Sequence, residues 1–274
     1  MKKLILAMSI ALAAMNVPAA DIAEAKAAFN EGDHATALPA FQELASGGDH
    51  EAEFYLGLMH YAGLGTAADK SAASAWFRKS AEAGNAKAQN NLGALYQKGD
   101  GVEQNYAEAM NWYGKAAEQG MGMAMQSIGY LYYKGEGVEQ NYDKAVEWWN
   151  KASERGDAQA KFNLGLMYFS GKGVKTDVTK GIKLWRESAE MGNAEAQSAL
   201  GNIFFNGTEV DQDFQAAYMW YRLSTAFGKQ GDDLKATMAA QRLKKKELDQ
   251  AEKDAQEKFE VIKAGLIRQQ QLDG

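Results

Sequence analysis

The chain of 274 residues has three histidines, His34, His50 and His60, and no cysteine. Counting alone therefore removes a thiolate zinc site, a CxxC redox centre and a disulfide framework. His50-Glu51 opens like the HExxH zinc-hydrolase motif, but Phe54 stands where the second histidine is required. A Ser-Lys hydrolase needs lysine three residues after serine, and no serine meets that condition. Three glycine pairs, Gly99-Asp100-Gly101, Gly135-Glu136-Gly137 and Gly171-Lys172-Gly173, have the look of phosphate loops. A dinucleotide loop follows a strand and has a third glycine opening a helix; neither is present. The segment from Gly65 to Ser71 ends in Lys70-Ser71 without glycine before the lysine, so it is not a Walker loop. No metal, no cofactor and no catalytic residue is expected.

The glycines belong to a longer pattern. Gly48, Gly84, Gly120, Gly156, Gly192 and Gly228 recur every 36 residues. Two more columns keep that step, Gly57, Gly93, Gly129, Gly165 and Gly201, and Gly63, Gly99, Gly135, Gly171 and Gly207. Five units over residues 48–227 align without insertion or deletion. Self-similarity of this length marks a solenoid, in which each unit covers the apolar face of its neighbour.

Each unit reads as two helices. Ala52, Leu56 and Met59 lie at i, i+4 and i+7, so they share one face of a first helix. Gly63-Leu64-Gly65 ends it, and Ala73, Trp76, Phe77, Ser80 and Ala81 carry a second helix that stops before Gly84. All six tryptophans fall in two adjacent columns of that second helix, which assigns them to packing rather than to a ligand-stacking groove. His60 shares a column with Tyr96, Tyr132, Tyr168 and Phe204, so it substitutes for a packing ring. With only Pro18 and Pro39 in the chain, long helices are uninterrupted.

These residues resemble the Sel-like repeat (SLR) family, relatives of the tetratricopeptide repeat. The resemblance is carried by Ala88-Gln89-Asn90-Asn91-Leu92-Gly93-Ala94-Leu95-Tyr96, Gly99-Asp100-Gly101-Val102, Ala109 to Trp112 and Lys115-Ala116-Ala117. It implies an all-α, right-handed α-solenoid of helix hairpins with helical caps. Departures fall late: Gly181 and Leu184 replace alanine and tryptophan in the fourth unit, and Glu209 replaces the second loop glycine in the fifth. Some cysteine-rich relatives have been linked to penicillin binding or hydrolysis, an activity that a chain without cysteine or a nucleophile motif does not support.

Four segments are expected. Residues 1–20 read as a secretory signal peptide, with Lys2 and Lys3, the apolar stretch Leu4 to Met15, and Val17-Pro18-Ala19 before cleavage after Ala19 or Ala20. Residues 21–47 form a degenerate capping repeat, in which Phe41 precedes Phe77 by 36. The five repeats follow, and residues 228–274 supply one or two amphipathic capping helices and a frayed tail. In that last segment Leu248, Ala251, Ala255, Phe259, Ile262 and Leu266 are spaced for one face. No other apolar run of about 20 residues exists, so membrane insertion after cleavage is not expected. Removal of Lys2 and Lys3 takes the formal charge from -6 to -8. That sign repels phosphate backbones and argues against nucleic-acid binding.

Binding is the remaining chemistry. With positions 52, 56 and 59 buried, the columns starting at 55, 58 and 62 should point away, onto the concave face that solenoids use for partners. The expected partner-binding residues are Tyr55, Leu58, Asn91, Ala94, Ser127, Tyr130, Asn163, Leu166 and Asn202. Asparagine brings a donor and an acceptor, and tyrosine an apolar ring with a polar tip. The expected function is a non-catalytic scaffold or adaptor for a protein or peptide in the bacterial envelope, periplasmic or secreted. An alternative is a periplasmic inhibitor or immunity protein that neutralises a toxic effector. A hydrolase, the third reading, has no nucleophile to support it.

Overall fold

The computed structural model describes residues 21–273; the expected leader at residues 1–20 lies outside the described residues. Every element among them is an α-helix. The chain divides into two compact units, one ending at Ser80 and one starting at Ala81. The first holds α1 (Ile22–Glu31), α2 (His34–Ser46), α3 (His50–Ala62) and most of α4 (Lys70–Glu82). The second holds α5 (Ala86–Lys98), α6 (Tyr106–Glu118), α7 (Gly122–Lys134), α8 (Tyr142–Glu154), α9 (Ala158–Ser170), α10 (Val178–Glu190), α11 (Ala194–Asn206), α12 (Phe214–Ala226), α13 (Asp232–Ala240) and α14 (Lys245–Asp273). Within each unit, helices that follow one another pack as tandem hairpins, from α1 to α3 in the first and from α5 to α13 in the second, the arrangement of an α-solenoid.

Capping explains the constant helix length. Asp49, Asn85, Asp157 and Asn193 precede the first helices of their repeats, and each accepts a bond of 2.7–3.0 Å from the backbone N–H three residues on. Asp69, Asn105, Asn141, Asp177 and Asp213 do the same for the second helices. Such caps satisfy donors that a helix start leaves unpaired. Met121 occupies the corresponding place before α7 and makes no side-chain cap bond.

The glycine column at 57 has a packing cause. A Cβ on Gly57, Gly93, Gly129 or Gly201 would stand 2.5–2.8 Å from ring atoms of Phe77, Tyr113, Trp149 or Tyr221 in the same repeat, and Gly165 is closed in the same way by Trp185. Ring and helix backbone therefore meet directly, and these rings are at most 5% exposed. Trp149 and Trp185 complete the contact by donating from Nε1 to the carbonyls of Gln126 and Phe162, at 3.1 Å each. Next to them, Trp112 and Trp220 are buried, while Trp76 and Trp148 are half-buried with Lys79 and Lys151 over their faces.

The loop between the two helices locks onto the preceding repeat. In the second unit, a Cβ on Gly137 would collide with Tyr106, and one on Gly173 with the backbone of Tyr142 at 2.6 Å. Both glycines are left-handed, and Glu209, in the same column, adopts a φ of +66° despite its side chain. The fifth loop thus keeps the shape that its sequence no longer favours.

Two glutamines of one column bind the preceding helix in the same way. Gln89 and Gln197 donate from Nε2 to the carbonyls of Ala81 and Ala189, both at 3.0 Å. Oε1 of Gln89 accepts from Gln119, but the place of Gln119 is taken by Phe227 beside Gln197, whose Oε1 has no partner.

The C-terminal segment begins as a truncated sixth repeat. Ala236 and Ala239 of α13 lie 36 residues beyond Leu200 and Ile203 and are buried likewise. Asp232, 1% exposed, takes the alanine position and accepts from Ser224 Oγ at 2.7 Å and Lys235 Nζ at 2.8 Å. In α14, Ala251 and Ala255 are buried, Ile262 packs with Trp220 and Leu223, and Phe259 meets Phe227 at 5.4 Å between ring centroids.

Candidate protein-interaction face

The buried stripe of each first helix fixes what its other side presents. Ala52, Leu56 and Met59 are fully buried, and their counterparts in α5, α7, α9 and α11 are at most 6% exposed. One helical step away lie the two columns of expected partner-binding residues.

In the first unit, Tyr55 is half-buried and committed to packing. Its ring stacks on Phe41 at 4.8 Å and meets Phe29 edge-on at 5.1 Å. Burial pushes its phenol above the ordinary range, with Lys26 opposing and Glu51 adding to the shift. Leu58 is half-buried.

In the second unit, Asn91, Ala94, Ser127, Tyr130 and Asn202 are half-buried, Leu166 is 41% exposed and Asn163 is 9% exposed. Several polar groups already have partners. Asn163 Oδ1 accepts from Gln159 Nε2 at 3.2 Å, Ser127 Oγ donates to the Met123 carbonyl, and Asn202 Oδ1 accepts from the Tyr221 hydroxyl at 2.9 Å. Tyr130 carries the Lys134 ammonium 5.7 Å from its ring centroid.

Lys235 and Met238 of α13 extend the same two columns, being 36 residues beyond Ala199 and Asn202. They were reachable by counting, but the loss of glycine and tryptophan markers after Gly228 hid the continuation. With Asn202, Phe205, Asn206 and Tyr221 they line a cavity of about 300 Å³ at the end of the repeat array. Two aromatic rings and two amides share the lining with Met238 and with Lys235, whose charge is matched by Asp232.

The three histidines have separate surroundings. His34 sits against Phe29, His50 pairs with Glu53 at 2.9 Å, and Nδ1 of His60 is buried without a partner. Among the described residues no three His, Cys, Asp or Glu side chains are grouped to hold a metal ion. No helix among them is long and apolar enough to cross a membrane.

Comparison with known proteins places this architecture. The Sel1 repeat matches residues 50–85, 86–121, 122–157, 158–193 and 194–226. The structure is similar to that of a Sel1 repeat protein from Oxalobacter formigenes, with a TM-score of 0.74 and 30% identity over 86% of this chain and 99% of that one. It is also similar to a protective antigen of uropathogenic Escherichia coli strains displaying an SLR fold, with a TM-score of 0.63 and 30% identity over 89% of this chain and 56% of the antigen. An immunity protein from Pseudomonas aeruginosa shares the fold at 19% identity, with a TM-score of 0.53 over 77% of this chain and 84% of that one. No curated protein matches the chain. Sel1 repeat proteins are in general protein-interaction modules without catalytic activity. With five matched repeats over most of its length, the chain belongs to the Sel1 repeat family.

Proposed function

We propose that this protein is a non-catalytic scaffold that holds a protein or peptide partner on the exposed side of its first helices. The observation that carries this reading is the pair of columns running through α5, α7, α9, α11 and α13. They keep one geometry while their occupants change from Asn91 to Ser127, Asn163, Ala199 and Lys235, and from Ala94 to Tyr130, Leu166, Asn202 and Met238. Constant backbone with varied side chains suits recognition, since the packing columns beside them vary little. A place in the bacterial envelope, periplasmic or secreted, rests on the leader-like residues 1–20.

Asn91→Arg and Leu166→Arg test the reading, because both positions lie outside the buried core, Asn91 half-buried and Leu166 exposed. Loss of a natively captured partner with unchanged thermal melting supports it. Retention of the partner by both variants rejects this face.

A second reading, an inhibitor that neutralises a toxic effector, is favoured by the fold shared with the immunity protein. A formal charge near -8 after leader removal would steer a basic effector. One-to-one binding that abolishes a neighbouring effector's toxicity distinguishes it from an adaptor.

A further inference from the structure

We propose that the cluster around Tyr133 in the second unit is a docking site for an acidic peptide segment of a partner protein. Nζ of Lys134 and Nζ of Lys172 each lie 5.9 Å from the centroid of the Tyr133 ring. Lys134 also stands 5.7 Å from Tyr130 and Lys172 5.4 Å from Tyr142, and the rings of Tyr133 and Tyr142 are 5.6 Å apart. Both lysines are exposed and the three rings are half-buried.

The charges are unanswered. The chain has 36 acidic residues against 30 basic ones, yet neither lysine joins the ion pairs formed among the described residues. Their ammonium groups rest on aromatic faces, an interaction of modest strength that leaves N–H donors free for a carboxylate.

The site is also built by the fold. Lys172 sits between Gly171 and Gly173, and Gly173 approaches the Tyr142 backbone so closely that no Cβ fits, which pins the loop beside the ring. The equivalent loop residues elsewhere are Leu64, Asp100, Glu136 and Thr208, so the fourth repeat alone places a cation there. Lys134 is the last residue of α7, where the helix dipole favours a positive side chain. Two cations with tyrosine between them match carboxylates that flank an apolar or aromatic side chain.

The inference rests on the proposed scaffold function only through Tyr130, which both surfaces share. A fluorescein-labelled peptide of alternating glutamate and leucine, its glutamine counterpart, and the full chain test it by fluorescence anisotropy. The glutamate peptide is expected to bind at least about tenfold more tightly than the glutamine peptide, and to weaken as salt is raised. Lys134→Gln with Lys172→Gln is expected to remove that preference without altering the circular dichroism melt. Equal binding of the two peptides, or full affinity in the double variant, overturns the proposal. So does binding of anionic vesicles or a sulfated glycan with none of the peptide. Asn91→Arg separates the two readings: native partner capture fails with the scaffold face, while peptide binding at Tyr133 persists.

Discussion

A Cβ placed on Gly129 would stand 2.5 Å from Nε1 of Trp149. The ring of the second helix lies directly on the backbone of the first, and its N–H still reaches the Gln126 carbonyl at 3.1 Å. Gly129→Ala therefore forces the ring away and should destabilise the second unit by about 1–3 kcal/mol. Gly114 is the control: it lies in α6, and a methyl group added there would meet nothing within 4 Å, so Gly114→Ala should stabilise by about 0.5–1 kcal/mol. Urea unfolding followed by tryptophan fluorescence reads both, and equal effects would refute the ring-on-glycine packing.

Met121 is the one residue in its column that leaves α7 without a side-chain cap. Met121→Asn should stabilise by up to about 1 kcal/mol, reduced by the partial packing that the methionine loses. Asn85→Ala, which removes the bond to the Ala88 N–H, should cost about 0.5–2 kcal/mol. Thermal melts that move in the same direction for both would contradict the capping account.

Glu209 holds a left-handed backbone where the other second-unit repeats use glycine. The strain of about 1–2 kcal/mol is relieved by Glu209→Gly, partly offset by the greater freedom of glycine in the unfolded chain. A net gain of about 0.5–1 kcal/mol in α11–α12 stability is expected. A loss, measured by hydrogen exchange of those helices, would show that the glutamate side chain contributes there.

The cap should be sensitive to acid. Burial raises the Asp232 carboxyl, but bonds from Lys235, Ser198 and Ser224 outweigh it and hold the group below its ordinary range. Its folded value is thus lower than its unfolded one, so its contribution is complete above about pH 4 and disappears as pH falls through the folded value. Amides of α13 should lose protection there before those of α7. In Asp232→Asn that pH dependence should vanish, and an unchanged acid profile would reject the assignment. At the other extreme, burial pushes Tyr113 and Tyr221 up to about 12, with Asp232 adding to the shift of Tyr221.

The solenoid was legible because its period is uninterrupted: columns such as Ala52, Leu56 and Met59 specify a buried helical face without knowledge of a partner. The Gly57 column was visible only as a marker, since its cause lies in rings such as Phe77 that reach it through the fold. For the candidate face, period gives direction but not engagement. Tyr55 turns onto Phe41, and Asn163 accepts from Gln159, because those neighbours happen to offer a ring and an amide. The Tyr133 cluster was hidden for a related reason: Lys172 belongs to a different repeat, and only the pinned loop brings it to that ring.

The central claim, that partners bind the columns of the first helices that face away from the core, is tested most directly by site-specific photo-crosslinking in cells that produce the protein. Crosslinkers at Asn91, Tyr130, Leu166 and Met238 are compared with second-helix positions Lys115, Lys151 and Arg186, which are exposed. The account predicts one partner, labelled from the first set and absent from the second. Equal labelling from both sets, or labelling from the second alone, would contradict it.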